Sequence, residues 1–194
     1  MTALKALEEK IMAEGEVYPG NILKVSSFLN HQLDVDFLME MGAEISRLFS
    51  DVKIDKILTI EASGIAIAVA AAAHMHVPVV FAKKNKTTNI LADVYSSTVE
   101  SYTHKEVYQV IVSKEHLKNG ENILIIDDFL AIGNAINGLM DIVGQAGGKV
   151  QGVAIAIEKG FQGGGDELRK RGIRLESLAI VDSMTDDSVK FRQQ

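Results

Sequence analysis

The chain has 194 residues, a net charge of -6 at pH 7 and an apolar share of 47%, which fit a single ordinary globular domain, residues 1–194. The acidic balance argues against nonspecific nucleic-acid binding, and the lack of cysteine excludes disulfides and thiolate metal sites. No apolar run approaches membrane-spanning length and the N-terminus is charged rather than signal-like, so we expect a cytoplasmic protein that binds no membrane.

Strands and helices are predicted to alternate along most of the chain. The predicted strands are Lys56–Glu61, Val77–Ala82, Ile123–Ile126, Lys149–Ile157 and a last edge strand, Leu175–Val181. The predicted helices are Leu4–Met12, Val35–Phe49, Ile65–His74, Ile136–Val143 and Asp166–Arg171. This alternation indicates an α/β fold in which an open parallel sheet has helices on both faces.

Two stretches lie outside this alternation. Residues 21–34 precede it, mix apolar and polar positions, and are predicted to form a lobe beside the core. Residues 85–108 are polar and rich in Thr and Ser, with strand-like alternation near both ends. We predict a mobile, hairpin-like excursion there, with Lys86 and Lys105 as further candidate anion-binding residues.

The most informative stretch begins with the uninterrupted apolar run Ile123–Ile126, typical of a strand buried on both faces of a parallel sheet. Asp127 and Asp128 follow it, and then come the small residues Ala131, Ile132, Gly133, Asn134 and Ala135, which we call the small loop. The loop opens a helix, so its free backbone N–H groups could bind an anion, and Gly133 would let a phosphate approach closely.

The two carboxylates need a different ligand because they repel phosphate. A neutral sugar diol, or a diol shared with Mg²⁺, suits an adjacent acid pair. Together with the small loop, the pair predicts a pocket for a ribose 5-phosphate. The alternative, one Asp capping a turn and the other in solvent, would be favoured for an Asp-Asp pair outside this context.

A second strand runs into a glycine turn at Glu61, Ala62, Ser63 and Gly64, which we call the Glu61–Gly64 turn. Backbone N–H groups and the Ser63 hydroxyl could bind a second anion there, although Ser-Gly is also common at ordinary helix N-termini. Lys83 and Lys84 end the next predicted strand on the same side and could neutralise that anion. The alternative is a solvated basic pair.

The run from Ile123 to Ala135 resembles the 5-phosphoribosyl pyrophosphate (PRPP) signature of the type I phosphoribosyltransferases. The resemblance implies that the acid pair holds the ribose hydroxyls and the small loop the 5-phosphate. It also implies that the Glu61–Gly64 turn, with Lys84, receives the pyrophosphate, and that residues 85–108 form the flexible catalytic loop. Many members have Thr-Gly-Gly-Thr in the small loop, so two hydroxyl donors are missing here and backbone N–H groups, with Asn134, must hold the phosphate.

The stretch from Leu23 to Gln32, together with Ile157–Lys159, resembles the bacterial xanthine phosphoribosyltransferases, a branch of the same family. The resemblance implies a small base-binding hood to which residues 1–34 contribute, with Leu23, Asn30 and Lys159 in contact with the purine. Phe28 could equally be a core aromatic, and Lys159 an ordinary surface lysine. We expect changes at Asn30 and Lys159 to alter purine use and to leave PRPP affinity nearly intact.

The activity implied is transfer of the phosphoribosyl group of PRPP to N9 of xanthine, in a homodimer that needs Mg²⁺. The metal would arrive on the PRPP pyrophosphate, and no residue is assigned as a direct ligand. One alternative is the same transfer to guanine or hypoxanthine. Another is a PRPP-sensing regulator that binds nucleic acid, although the acidic balance and the short N-terminal helix do not favour it.

Overall fold

The structure is a computed structural model that describes residues 3–85, 93–100, 107–186 and 188–193. The helices are α1 (Ala3–Glu14), α2 (Val35–Leu48), α3 (Gly64–Met75), α4 (Asn134–Gln145) and α5 (Gly164–Lys170). The strands are β1 (Glu16–Tyr18), β2 (Ile22–Lys24), β3 (Lys56–Ile60), β4 (Val79–Asn85), β5 (Val94–Glu100), β6 (Val107–Ser113), β7 (Asn122–Leu130), β8 (Lys149–Lys159), β9 (Leu175–Met184) and β10 (Val189–Phe191).

The described strands form one large sheet in the order β10-β9-β8-β7-β3-β4-β6-β5 and a small hairpin, β1-β2. The strands from β9 to β4 run parallel, and β10 at one edge and β6-β5 at the other are antiparallel additions. The predicted α/β fold with a mostly parallel sheet is therefore confirmed. In the described part of the chain, no helix is long and apolar enough to cross a membrane.

The prediction that Leu175–Val181 is the last edge strand is wrong. The strand continues to Met184 and pairs with β10, which runs antiparallel on its outer side. The short strand β10 is held because Val189 is buried at its start. Three residues carry too little periodicity for such a strand to be recognised from sequence.

Helices cover both faces of the sheet because alternate residues of each strand point to opposite sides. Leu124 and Ile126 of β7 pack in the core that contains α1, α2 and α3. Ile123 and Ile125 pack in the second core, which contains α4 and α5. All four side chains are fully buried, as the apolar run predicts for a strand covered on both faces.

The N-terminal residues divide between the core and the sheet edge. Helix α1 buries Leu7 and Ile11 against the sheet, so it belongs to the main core. The hairpin of β1 and β2 and a single π-helical turn at Ser26–Asn30 follow. Asp34 then caps α2, since its side chain accepts a hydrogen bond from the backbone N–H of Phe37 at 3.2 Å.

The predicted hairpin within residues 85–108 is present as the antiparallel pair of β5 and β6. Strand β6 also pairs with β4, so the hairpin extends the main sheet. Residues 86–92 and 101–106, which include Lys86 and Lys105, lie outside the described residues. The mobility of this segment stays a prediction.

Candidate active site

The acid pair lies inside β7, which continues past the apolar run to Leu130 rather than ending at Asp127. Asp127 is only 5% exposed, and its Oδ1 accepts a hydrogen bond from the backbone N–H of Asp128 at 3.0 Å. Asp128 is partly exposed, and its Oδ2 accepts a hydrogen bond from the Asn30 amide at 3.1 Å. The two carboxylates thus have different surroundings.

Burial raises the pKa of the Asp127 carboxyl well above its ordinary value, and the neighbouring charge of Asp128 raises it further. The Lys84 ammonium acts in the opposite direction and lowers this pKa. The acid pair therefore lacks enough positive charge around it, a deficit that a bound cation or hydroxyl donors would relieve.

The small loop turns sharply between β7 and α4. Gly133 has a φ of 91°, a backbone conformation that side chains with a Cβ rarely adopt, and α4 begins at the next residue. The loop cavity, as we call the hollow at this turn, is lined by Val99, Glu100, Tyr108, Phe129, Leu130, Ala131, Ile132, Gly133, Asn134, Ala135 and Ile136. The free N–H groups at the start of α4 border a hollow that could receive a phosphate.

The Asn134 side chain does not point freely into this cavity. Its amide donates a hydrogen bond to the backbone carbonyl of Glu100 at 3.0 Å. Anion binding by the loop would therefore depend mainly on its backbone, because the other loop side chains carry no donor and Asn134 keeps only one N–H.

Gly164, at the start of α5, packs against the backbone of the small loop, and it was not predicted from the sequence. Its N–H donates to the Ala131 carbonyl at 3.2 Å, and a Cβ on Gly164 would collide with Ala131 O and would lie 2.6 Å from Ile132 C. The run Gly163–Gly165 is visible in the sequence, but only the fold shows that its backbone touches the loop.

The Glu61–Gly64 turn lies opposite the acid pair. Together they line the acid cavity, formed by Ile60, Glu61, Ala62, Ser63, Gly64, Lys84, Tyr108, Asp127, Asp128 and Ala135. Gly64 is packed so closely that a Cβ there would collide with Thr59 Oγ1 and lie 2.9 Å from Asp127 Oδ1. The Ser63 hydroxyl makes no capping hydrogen bond to α3 and so is not used by the helix.

Lys84 and Tyr108 form the remaining wall of the acid cavity. Strand β4 runs through both Lys83 and Lys84, so these residues do not end the strand as predicted, and they point to opposite faces. The Lys84 N–H donates to Glu61 Oε1 at 2.6 Å, and its ammonium lies 5.6 Å from the ring centre of Tyr108. Lys83 lines a different cavity, on the far side of the sheet.

Of the three residues predicted to contact the purine, one lies in the core, one in the π-helical turn of the lobe and one at the end of β8. Leu23 is 6% exposed and belongs to the core. The Lys159 ammonium donates to the Asn21 carbonyl at 2.9 Å and lies 5.6 Å from the ring centre of Phe129. Partial burial lowers the pKa of Lys159. Asn30 makes a hydrogen bond to Asp128 of β7, and Asn21 accepts one from Lys159 of β8. The lobe therefore contacts these two strands, one contact each.

Phe28 is fully buried, and its ring packs against Phe37 at a centroid distance of 6.1 Å and an angle of 82°. It is therefore a core aromatic, one of the two alternatives left open by the sequence.

The acid pair fits Mg²⁺ in ligand type, because carboxylate oxygen atoms are the ligands that Mg²⁺ prefers. The described residues contain no group of three or more His, Asp or Glu side chains placed to bind a metal. Oxygen atoms of the ligand and of water would therefore have to complete the coordination of a Mg²⁺ ion bound by Asp127 and Asp128.

Comparison with known proteins agrees with this geometry. Residues 24–183 match the phosphoribosyl transferase domain family, a range that contains the acid pair, the small loop and the Glu61–Gly64 turn. The chain is 54% identical over 191 residues to a xanthine phosphoribosyltransferase from Lachnoclostridium phytofermentans, with 97% of this chain and 98% of the relative covered. A xanthine phosphoribosyltransferase from Bifidobacterium adolescentis is 52% identical over 192 residues, with 97% and 100% covered.

Solved structures show the same fold at lower identity. The APRTase of Giardia lamblia complexed with 9-deazaadenine has a TM-score of 0.77 at 21% identity, with 92% of this chain and 98% of that chain covered. The adenine phosphoribosyltransferase of Thermoanaerobacter pseudethanolicus has a TM-score of 0.71 at 22% identity, with 90% and 98% covered. Because the family model matches residues 24–183 and relatives of 52–54% identity match nearly the whole chain, this chain belongs to the phosphoribosyltransferase family.

Proposed function

We propose that this chain transfers the 5-phosphoribosyl group of PRPP to N9 of xanthine and releases pyrophosphate and xanthosine 5′-monophosphate. The observation that carries the proposal is the position of the acid pair, Asp127 and Asp128, between the small loop and the Glu61–Gly64 turn. Support for xanthine as the acceptor comes from relatives of that name that match nearly the full chain at 51–54% identity.

In the proposed reaction, N9 of the purine attacks C1 of the ribose while the bond from C1 to the pyrophosphate oxygen breaks. The acid pair would accept hydrogen bonds from the ribose diol, and the small loop would hold the 5-phosphate. These contacts align C1 with the purine and make the displacement effectively intramolecular. The negative charge of Asp127 and Asp128 would also stabilise positive charge that develops on the ribose.

The leaving pyrophosphate would lie against the Glu61–Gly64 turn. Backbone N–H groups at the start of α3, the Ser63 hydroxyl and the Lys84 ammonium would stabilise its charge as it departs. Bound Mg²⁺ would supply further positive charge to the pyrophosphate oxygen atoms. The side chain of Glu61 positions this wall, since it accepts the N–H of Lys84 at 2.6 Å.

The purine would lie between the hood and the end of β8, in reach of Leu23, Asn30 and Lys159. Xanthine is acidic near neutral pH, so an ammonium at Lys159 suits an anionic acceptor and no strong base is required. Because Leu23 is buried, we propose that it contributes its backbone or the edge of its side chain. The Asn30 amide can donate and accept, which suits the oxo groups of a purine.

We further propose that the enzyme is a Mg²⁺-dependent cytoplasmic homodimer of purine salvage, as its family resemblance implies. The test of the proposed function supplies PRPP with xanthine, guanine, hypoxanthine or adenine separately and follows pyrophosphate release. We expect xanthine to have the highest kcat/KM and chelation of Mg²⁺ to stop the reaction. A higher kcat/KM for another purine would overturn the assignment of xanthine, and no release with any purine would overturn the activity.

A further inference from the structure

Two residues line both the loop cavity and the acid cavity, namely Tyr108 and Ala135. A ligand with one phosphate at the small loop and another at the Glu61–Gly64 turn would therefore lie beside both residues. Ala135 carries no polar side-chain group, whereas Tyr108 presents a phenol. Nothing in the sequence pattern distinguishes this tyrosine, because it lies at the edge of the polar excursion.

The loop cavity is short of side-chain donors. Among its described lining residues, only Tyr108 and Asn134 have a side chain that can donate a hydrogen bond. The Asn134 amide uses one of its two N–H donors on the Glu100 carbonyl at 3.0 Å, which fixes the direction of the side chain. Of these two side chains, Tyr108 is the one whose donor group makes no hydrogen bond in the described part of the chain.

Tyr108 is held in place while its hydroxyl is left free. It is partly buried in β6, opposite Val99 of β5, and the Lys84 ammonium lies 5.6 Å from its ring centre. Within the described part of the chain, no partner accepts a hydrogen bond from its hydroxyl. Burial and the negative charge of Asp127 raise the pKa of Tyr108, so the phenol keeps its proton at neutral pH and can donate.

We propose that Tyr108 is a PRPP-binding residue whose hydroxyl donates a hydrogen bond to the 5-phosphate and replaces the hydroxyl donors that the small loop lacks. This inference rests on the proposed function, since it concerns the same PRPP site. It adds a side chain from the β5-β6 hairpin to a phosphate site otherwise built from the loop backbone. The hairpin then contributes to ground-state binding of PRPP.

The test compares Tyr108→Phe with Tyr95→Phe by calorimetry, using ribose 5-phosphate and Mg²⁺-pyrophosphate as separate ligands. The phenylalanine keeps the ring beneath Lys84 and removes only the hydroxyl. Tyr95 is a matched control because it lies in the same hairpin, with the Lys114 ammonium 5.8 Å from its ring centre, and lines neither cavity. In Tyr108→Phe we expect about a tenfold or greater loss of affinity for ribose 5-phosphate, the size typical of a hydrogen bond to a charged group.

The same variant should keep its affinity for pyrophosphate, and its kinetics should show a raised KM for PRPP with little change in the KM for xanthine. Tyr95→Phe should change none of these. Unchanged affinity for ribose 5-phosphate in Tyr108→Phe, or an equal loss for pyrophosphate, would overturn the assignment. If the unaltered protein bound neither ligand, the proposed function itself would fail, and the inference with it.

Discussion

Burial of the Asp127 carboxylate lowers the free energy of unfolding when the group is ionised. Its pKa is raised by burial and by Asp128, so the folded protein binds a proton there more tightly than the unfolded chain does. The free energy of unfolding should then fall as the pH rises from the ordinary carboxyl pKa through the raised one, and the whole cost is present above it. A residue kept under these conditions is better explained by ligand binding than by folding.

Asp127→Asn should therefore stabilise the protein at neutral pH while it weakens PRPP binding. The amide oxygen can still accept the Asp128 N–H, and the buried charge is gone. We expect the melting temperature to rise by about 2–4 °C, as a gain of about 1 kcal/mol would give in a chain of this size. Thermal melts between pH 4 and 8 measure this, with Asp141→Asn on exposed α4 surface as the control. A lower melting temperature for Asp127→Asn at pH 7 would contradict the prediction.

Asn30 connects the purine side of the site to the ribose side, since its amide donates to Asp128 at 3.1 Å. The structure thus changes the expectation drawn from the sequence, in which Asn30 affected only the purine. We now expect Asn30→Ala to raise the KM for xanthine and also the KM for PRPP. The effect on PRPP should be roughly fivefold, the equivalent of one hydrogen bond of about 1 kcal/mol.

Lys159→Ala is the contrasting variant for this prediction. Lys159 contacts Asn21 and Phe129 and neither carboxylate, so its loss should raise only the KM for xanthine. Steady-state kinetics with each substrate varied in turn separates the two patterns. An Asn30→Ala enzyme with an unchanged KM for PRPP would mean that the contact with Asp128 has no role in orienting the carboxylate.

At the scale of secondary-structure elements, the small loop depends on the start of α5. Gly164→Ala would press a Cβ against the backbone of Ala131 and Ile132, so the loop must shift. We expect destabilisation of about 1–3 kcal/mol, typical of overpacking, and a raised KM for PRPP. Denaturant unfolding and kinetics measure the two effects.

Gly144→Ala is the matched control for Gly164→Ala. It makes the same change within α4, where the added Cβ meets nothing within 4 Å. Alanine is the better helix former by about 1 kcal/mol, so this variant should be as stable as the parent or more so, with an unchanged KM for PRPP. Equal behaviour of the two alanine variants would show that Gly164 does not support the loop.

The end of β8, which carries Lys159, is fixed by an ion pair whose carboxylate is buried and whose arginine is partly exposed. Glu158 is fully buried, and Arg169 of α5 binds both of its carboxylate oxygen atoms at 2.8 Å. The Ser177 hydroxyl of β9 donates to the same carboxylate at 2.5 Å. These contacts join α5 and β9 to the strand end from which Lys159 projects.

Arg169→Met should leave the Glu158 charge buried without its partner and destabilise the protein by about 3 kcal/mol. The double variant Glu158→Gln with Arg169→Met removes the charge as well, so it should recover part of the loss. Chemical unfolding of Glu158→Gln, of Arg169→Met and of the double variant gives a double-mutant cycle, from which the coupling free energy of the pair is obtained. If the double variant is no more stable than Arg169→Met, the loss does not come from the uncompensated carboxylate.

At the scale of the whole molecule, the sequence predicted the parts of the fold that arise from local periodicity. The apolar run of β7 and the start of α4 follow from residues close together in the chain, and they lie as expected. The acid pair follows the apolar run as predicted, but it lies inside β7 rather than at its end. The contacts between distant residues could not be predicted. Asn30 and Asp128 are 98 positions apart, and Lys159 and Asn21 are 138 positions apart, so no periodicity connects them.

The same reason explains why Gly164 and Tyr108 were missed. Each is important through what the fold places beside it, the small loop in one case and both cavities in the other. The strand β10 was missed for a different reason, its short length. Leu23 and Asn30 were assigned to the purine by resemblance, and Lys159 by resemblance and by its place at the end of a predicted strand. Their roles stay predictions.

Binding of Mg²⁺-PRPP should stabilise the whole fold, since the proposed site spans β7, the small loop, the Glu61–Gly64 turn and the hairpin. At a ligand concentration of 100 times Kd, linkage gives about 2.7 kcal/mol, or roughly 5–10 °C in melting temperature. Differential scanning fluorimetry with and without a chelator measures this shift. Asp127→Asn should show little of it, and a full shift in that variant would mean that PRPP binds elsewhere.

The protonation state of Asp127 also determines whether a proton is released to the solvent when PRPP binds. Ribose hydroxyls that donate to this carboxylate favour its ionised form, so binding lowers the pKa that burial had raised. Over the pH range in which free Asp127 holds its proton, each PRPP that binds should expel one. The buffer takes up that proton with its own enthalpy of ionisation. Heats of PRPP binding measured at one pH in phosphate and in Tris should therefore differ, and those of Asp127→Asn should agree.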